Sequence, residues 1–339
     1  MRIRTIAAGV ACWVMAAGAW SPASAEPWKM RVGWVTTPGH MQPIIDELQK
    51  RHAELFPHFG KSYVAEGVRF QGTTPQIQAL AINELEVAAF GPEALVLAVK
   101  NAHLDVRAIA DVFQDGVPGY GSITYVVRAD SPIKTVEDLR GKNLATNAIG
   151  SFGDSAMRIM LRQHGLTDRD FTSIETNFAN MPAMLDDGKV DFINLVPQYQ
   201  YMLKQGKYRK LFTAADGEGR IQAVLWAMRA DQIAAHRPAL VDFLEDHIRA
   251  VQWLLSPAHH DEAVQIAVDV TKAKPETLGF MYTKEDSYHA PDARPDIDAT
   301  QHAIDVELKY GIIHDGLAVA PTYVDLTPVD EANKRLGGS

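Results

Sequence analysis

Apolar and polar residues alternate through Met30-Arg31-Val32-Gly33-Trp34-Val35, a period of two that predicts a strand. Thr36-Thr37-Pro38-Gly39-His40 breaks the pattern as a loop, and residues 41–55 take up helical spacing. Residues 62–70 read as a second strand and Gly72-Thr73-Thr74-Pro75 as a loop. Thr74 is placed to cap a helix over 76–83, with Pro75 at its first position. A strand at 86–90, a turn at Gly91-Pro92-Glu93 and a helix at 94–101 follow.

The rhythm restarts after Val117-Pro118-Gly119-Tyr120-Gly121. Strands are expected at 123–128, 143–146, 173–177 and 190–195, with helices at 136–142, 154–164, 181–187 and 198–205. A last strand at 223–228 precedes a mostly helical stretch over 238–270. Strand, loop and helix recurring at this spacing predict an α/β protein of parallel sheets flanked by helices. Two modules are expected, the second inserted into the first. Residues 26–119 and 225–339 form one lobe and 120–224 the other, with crossovers near 117–121 and 219–224.

The 339 residues, 47% hydrophobic and 22% charged, are ordinary for about two globular domains. The N-terminus departs from that. Arg2 and Arg4 precede an apolar stretch at 6–20, and Ala23-Ser24-Ala25 is a small-x-small cleavage site. Residues 1–25 read as a secretory signal peptide, too short for a stable membrane span. Cys12, the only cysteine, lies inside it. Gly9 stands three residues before Cys12, where a lipoprotein signal carries a larger apolar residue, so no lipid anchor is expected. The processed chain then has no disulfide, thiolate nucleophile or Cys-bound metal. It keeps 31 Lys and Arg against 42 Asp and Glu, a formal charge of −11, which argues against nucleic acid or anionic membrane as partner. No other run of about 18 apolar residues exists, so a soluble exported protein is expected.

In an open α/β sheet, ligands sit beyond the carboxyl ends of strands. The segments there are Thr36 to His40, Gly72-Thr73-Thr74, Gly91-Pro92-Glu93, Gly150-Ser151-Phe152-Gly153, Asn177-Phe178-Ala179-Asn180 and Val196-Pro197-Gln198-Tyr199. They carry hydroxyls, amides, glycines and aromatic rings, and little that titrates. Catalysis needs a tuned acid, base or nucleophile, so the set fits binding better. The turn at 150–154 is the sharpest piece: backbone N–H groups at a helix start attract anions, and glycine lets a ligand approach. Ser151-x-x-Asp154 equally fits a plain capping box, and Thr73 and Thr74 face the same choice between cap and ligand contact. No histidine spacing resembles a metal motif, so neither metal nor cofactor is expected. Trp34, Tyr120, Phe152, Phe178, Tyr199 and Trp226 flank the same loops, and Phe152, between two glycines, is the favoured aromatic wall.

Three segments carry a family resemblance. They are residues 71–80 (QGTTPQIQAL), residues 131–142 (SPIKTVEDLRGK), and Asn180-Met181-Pro182-Ala183-Met184-Leu185 with Gly188-Lys189-Val190-Asp191. With these the chain resembles the periplasmic substrate-binding proteins of the nitrate/sulfonate/taurine group, soluble receptors of ABC importers. The resemblance implies a two-lobed type II periplasmic binding protein fold, each lobe a mostly parallel sheet flanked by helices, and no enzymatic activity. Its ligand loops fall on Thr36, Thr37, His40, Thr73, Thr74, Gly91, Pro92, Ser151, Phe152, Asn177, Pro197 and Gln198. The implied ligand is a small organic anion, a sulfonate such as taurine or an alkanesulfonate, or a carboxylate. The alternative is an aromatic or pyrimidine ligand resembling a thiamine precursor. The implied partners are an inner-membrane ABC permease and its ATPase, with the receptor a monomer in the periplasm. The ligand loops show no Arg or Lys, so a charged ligand is expected to rest on helix dipoles and hydroxyls.

Overall fold

A computed structural model describes residues 26–337; the signal peptide read over 1–25, with Cys12, lies outside the described residues. Ten strands are found there: β1 (Trp28–Trp34), β2 (Tyr63–Arg69), β3 (Ala88–Phe90), β4 (Val106–Asp115), β5 (Thr124–Arg128), β6 (Asn143–Thr146), β7 (Thr172–Glu175), β8 (Ile193–Leu195), β9 (Tyr208–Thr213) and β10 (Ile221–Arg229). The helices are α1 (Gln42–Arg51), α2 (Gln76–Ala81), α3 (Pro92–Lys100), α4 (Phe152–Gln163), α5 (Met181–Asp186), α6 (Tyr201–Lys204), α7 (Ala214–Glu218), α8 (Ala230–Leu255), α9 (His260–Thr271), α10 (Ile297–Lys309) and α11 (Thr327–Arg335).

Two sheets result, with the same plan. In the first, β1 pairs parallel with β2, the bridge Val32–Val87 joins β1 to β3, and β10 lies antiparallel between β3 and β4. In the second, β6 pairs parallel with β7, the bridge Leu144–Phe192 joins β6 to β8, and β5 lies antiparallel between β8 and β9. The spatial orders are therefore β2-β1-β3-β10-β4 and β7-β6-β8-β5-β9. The parallel half of each sheet follows from the βαβ spacing. Each sheet is mostly parallel, as expected: four of its five strands run one way, and the exception is β10 in the first sheet and β5 in the second, each of which has crossed from the opposite sheet and lies antiparallel to both neighbours.

The central strands β3, β8 and β10 are buried on both faces and read as largely apolar runs, whereas β1, β2 and β7 keep polar, part-exposed positions. In the second sheet Tyr125, fully buried, stacks on Phe212 and Phe192 at centroid distances of 4.6 and 5.8 Å. Its hydroxyl donates to Gly153 O at 2.7 Å, tying the sheet to the start of α4. In the first sheet Trp226 of β10 stacks on Phe243 of α8 at 5.4 Å. α8 begins at Ala230, well before the expected 238, and passes through Pro238 by way of a non-helical residue, His236 (φ −121°, ψ 20°). A proline ring clashes with the carbonyl one turn earlier, and the break relieves that clash.

Two connections join the sheets, β4 to β5 and α7 to β10. They touch at Gly116 (φ +71°) and Gly219 (φ +74°), both left-handed. A Cβ on Gly116 would stand 2.1 Å from the Gly219 carbonyl oxygen, so a side chain there has no room.

Phe192 is fully buried against both Tyr125 and Phe212. Phe192→Ala is expected to destabilise the protein by about 3–5 kcal/mol, read as a lower urea midpoint with unchanged slope.

Candidate functional site

The loops that leave the strand ends of the two sheets meet face to face. From the first sheet come the β1–α1 loop and residues 71–74; from the second come the β6–α4 turn and the segment after β8. Gln71 Nε2 donates to Asn147 O at 2.7 Å, and Asn147 Nδ2 donates back to Gln71 O at 3.2 Å. Thr73 N donates to Ser151 Oγ at 3.2 Å, and the Thr74 hydroxyl donates to Gly150 O. Gly72 makes this approach possible: a Cβ there would meet Ser151 Oγ at 2.3 Å and Ala148 Cβ at 2.6 Å. The two sheets are thus shut against each other by direct bonds.

Behind this seam lies a cavity of about 50 Å³. Phe113 of β4 meets Phe152 of α4 edge to face across it, centroids 6.3 Å apart. Ile123, Phe178, Val196 and Val224 add apolar wall, and Thr36, His40, Thr73, Asn147, Ser151 and Ser287 supply the polar groups. His40 is buried, and burial, with His289 nearby, pulls its pKa down to about 3, so it is neutral at pH 7. Among the described residues, no Arg, Lys, Asp or Glu lines this inner cavity.

Of the residues expected at the ligand, Thr36, His40, Thr73, Ser151, Phe152 and Pro197 line the inner cavity. Thr37 lines a wider outer groove of about 820 Å³, which also reaches Thr36, Trp34, Arg69, Tyr199 and Tyr201. Thr74, Gly91, Pro92 and Asn177 line neither. Gly91 caps α3, and the Asn177 side chain accepts from Asn180 N. Gln198 sits in the short helix Pro197–Tyr199, and its side chain lies outside the described residues. Phe113, Asn147 and Ser287 were not read from the sequence as site residues. Phe113 belongs to β4, a strand the pattern hid, and Ser287 to a long irregular segment that comes back to pair with β4 through Gln114–Tyr288.

The capping reading of the hydroxyls does not hold. Ser151 is the N-cap residue of α4, but its hydroxyl makes no capping bond. Pro75, not Thr74, holds the N-cap position of α2. Both hydroxyls reach to the opposite sheet instead. Asp154 bends back to accept from Gly150 N at 3.0 Å and pairs with Arg158 at 2.7 Å. A buried carboxylate therefore already sits at the positive end of α4, where it opposes a second negative charge.

Next to the seam, three carboxyl groups are packed where α3 and α10 meet α4 and α7. Glu93, Glu218 and Glu307 are 1%, 3% and 1% exposed. The Thr73 hydroxyl donates to Glu93 at 3.1 Å, which links the group to the cavity wall. Burial raises the pKa of Glu307 well above normal, with Glu93 and Glu218 adding repulsion. Burial raises Glu218 likewise, with Asp115 and Glu93 adding to it. At least part of this group is held as neutral carboxylic acid.

The fold defines a class: two-lobed α/β proteins of the periplasmic binding protein architecture. The chain is similar to the alkanesulfonate-binding protein SsuA from Xanthomonas axonopodis pv. citri bound to MOPS, at 20% identity and TM-score 0.67 over 88% of this chain and 98% of that one. It is similar to the periplasmic nitrate-binding protein NrtA from Synechocystis, at 14% identity and TM-score 0.67 over 92% and 89%. The desulfurization enzyme DSZB shares the fold too, at 12% identity and TM-score 0.62 over 91% and 99%. The family described as NMT1/THI5 like matches residues 68–262, more than half of the chain, and the chain belongs to that family.

The raised carboxyl pKa values make stability depend on pH with a definite sign. From the ordinary value of 4.5 upward, the folded chain holds protons that the unfolded chain gives up, so this contribution is full below 4.5 and is lost as pH rises. Glu307→Gln keeps a neutral donor beside Glu93. Its thermal midpoint is expected to match wild type near pH 4.5 and to exceed it by a margin that grows towards pH 8.

Proposed function

We propose that the protein is an extracytoplasmic solute receptor, exported to the periplasm, which encloses a small organic molecule between its lobes and delivers it to an ABC permease with its ATPase. The moving bodies are the first sheet with its helices and the second sheet with its helices, turning about the paired connections at Gly116 and Gly219. The observation that carries the reading is the direct bonding of Gln71, Thr73 and Thr74 to Asn147, Ser151 and Gly150 over the inner cavity. Such a cavity fills only if the lobes part and close again.

The cavity's chemistry supports binding without turnover. The Ser151 hydroxyl has Thr73 N as its only hydrogen-bond partner among the described residues, so no base is bonded to it. Neutral apolar walls and two facing aromatic rings favour a ligand with an apolar or ring-bearing body. Two of the structural neighbours hold organic sulfur compounds of that kind: SsuA is bound to MOPS, and a DSZB structure is in complex with biphenyl-2-sulfinic acid. The ligand class proposed here is an organic anion, sulfonate or carboxylate, attached to such a body. No membrane-spanning helix is found among the described residues, which fits a receptor that meets its permease at the surface.

Ligand from a panel of alkane- and arenesulfonates, aryl carboxylates and pyrimidines is expected to reduce the radius of gyration in solution scattering. Gly72→Val is expected to hold the lobes apart, with a larger radius that no ligand reduces. Phe178→Ala, trimming a half-buried wall, is expected to weaken binding roughly tenfold by calorimetry while moving the thermal midpoint little. A panel in which nothing compacts the wild-type protein would sink the receptor reading.

A further inference from the structure

The inner cavity holds no cation and the start of α4 is taken by Asp154, so an anionic ligand must find its countercharge elsewhere. The outer groove offers one. Arg69, the last residue of β2, pairs in register with Trp34, the last residue of β1. Its guanidinium lies over the Trp34 ring, 5.5 Å from the centroid. The Arg69 side chain makes no hydrogen bond or ion pair among the described residues. In a chain of formal charge −9 whose arginines are mostly bound to Asp or Glu, an exposed guanidinium on an aromatic platform, with all its donors free, is placed for a guest.

The surroundings agree. Tyr199 and Tyr201 stand on the groove wall contributed by the second sheet, and Lys274 and Glu276 come from the segment after α9. The charged side chains of the groove sum to one positive charge. Thr36 belongs both to this groove and to the inner cavity, so the two spaces share a wall at the end of β1.

We infer that Arg69 is the anion-recognising residue of the receptor. The ligand's apolar body points inward to Phe113, Phe152 and Phe178, and its sulfonate or carboxylate points outward, taken in bidentate fashion by the guanidinium that Trp34 holds flat. This orientation is the reverse of one in which the oxyanion rests on the α4 N-terminus. It rests on the receptor reading above and adds the charge, direction and residue of recognition.

The test uses p-toluenesulfonate and its neutral isostere p-toluenesulfonamide as probes, with calorimetry and tryptophan emission on the full processed chain. Wild type is expected to prefer the sulfonate, with affinity that falls as salt is raised. Arg69→Gln is expected to lose roughly 10- to 100-fold in sulfonate affinity together with its salt dependence, at an unchanged thermal midpoint. Sulfonamide binding is expected to stay the same, and Arg69→Lys to recover only part of the loss. Sulfonate binding by Arg69→Gln equal to wild type overturns the assignment and leaves the receptor standing. Wild type that binds the sulfonamide as well as the sulfonate also overturns it. Wild type that binds neither probe, nor any member of the wider panel, overturns both readings.

Discussion

A bare backbone at residue 72 sets how near the two sheets come. With no Cβ in the way, the 71–74 loop lies against the 147–151 turn, and hydroxyls and amides that would cap their own helices bond across the gap instead. What the cleft encloses follows from that contact. The polar groups of the loops are largely spent on each other, and the space behind them is left to rings and aliphatic side chains. A neutral interior strengthens any charge interaction at its edge, because water is excluded on one side. The selectivity of such a site therefore divides between shape inside and charge at the mouth.

Much of this was legible in the chain. The βαβ spacing located β1, β2, β3, β6, β7 and β8, and the strand-end rule brought Thr36, His40, Thr73, Ser151, Phe152 and Pro197 to the cavity. β4 and β9 escaped. In β4, Val106–Asp115, the apolar run is broken by Asp111 and Asp115, which a pattern reader takes for solvent-facing residues. Both are buried: burial lifts Asp111 to about 7 and Asp115 to about 6, and bonds from Gln222, Ala290, Ser122 and Ile123 hold them. In β9 charged residues interrupt the pattern at an edge. Arg69 escaped for a different reason. It closes a strand instead of opening a loop, and only the register with Trp34 turns it towards the groove.

The hydroxyl pattern shows a limit of local rules. Ser151-x-x-Asp154 satisfies a capping box in sequence, yet the serine is drawn off by Thr73 from the other sheet and the aspartate folds back alone. Tertiary partners outbid local ones wherever a loop faces another loop at bonding distance. The acids at Glu93, Glu218 and Glu307 belong to the same region, and their burial couples the seam to proton activity. Neutral carboxylic acids can donate as well as accept, which suits a junction where both sides present oxygen.

The contact between Gly116 and Gly219 separates two evolutionary tasks. The residues proposed to meet a guest lie at or near the strand ends, whereas the two connections between the sheets touch at two glycines with no side chains to exchange. Descendants of this chain can therefore remake the jaws for a new compound, residue by residue, and still inherit the same swing.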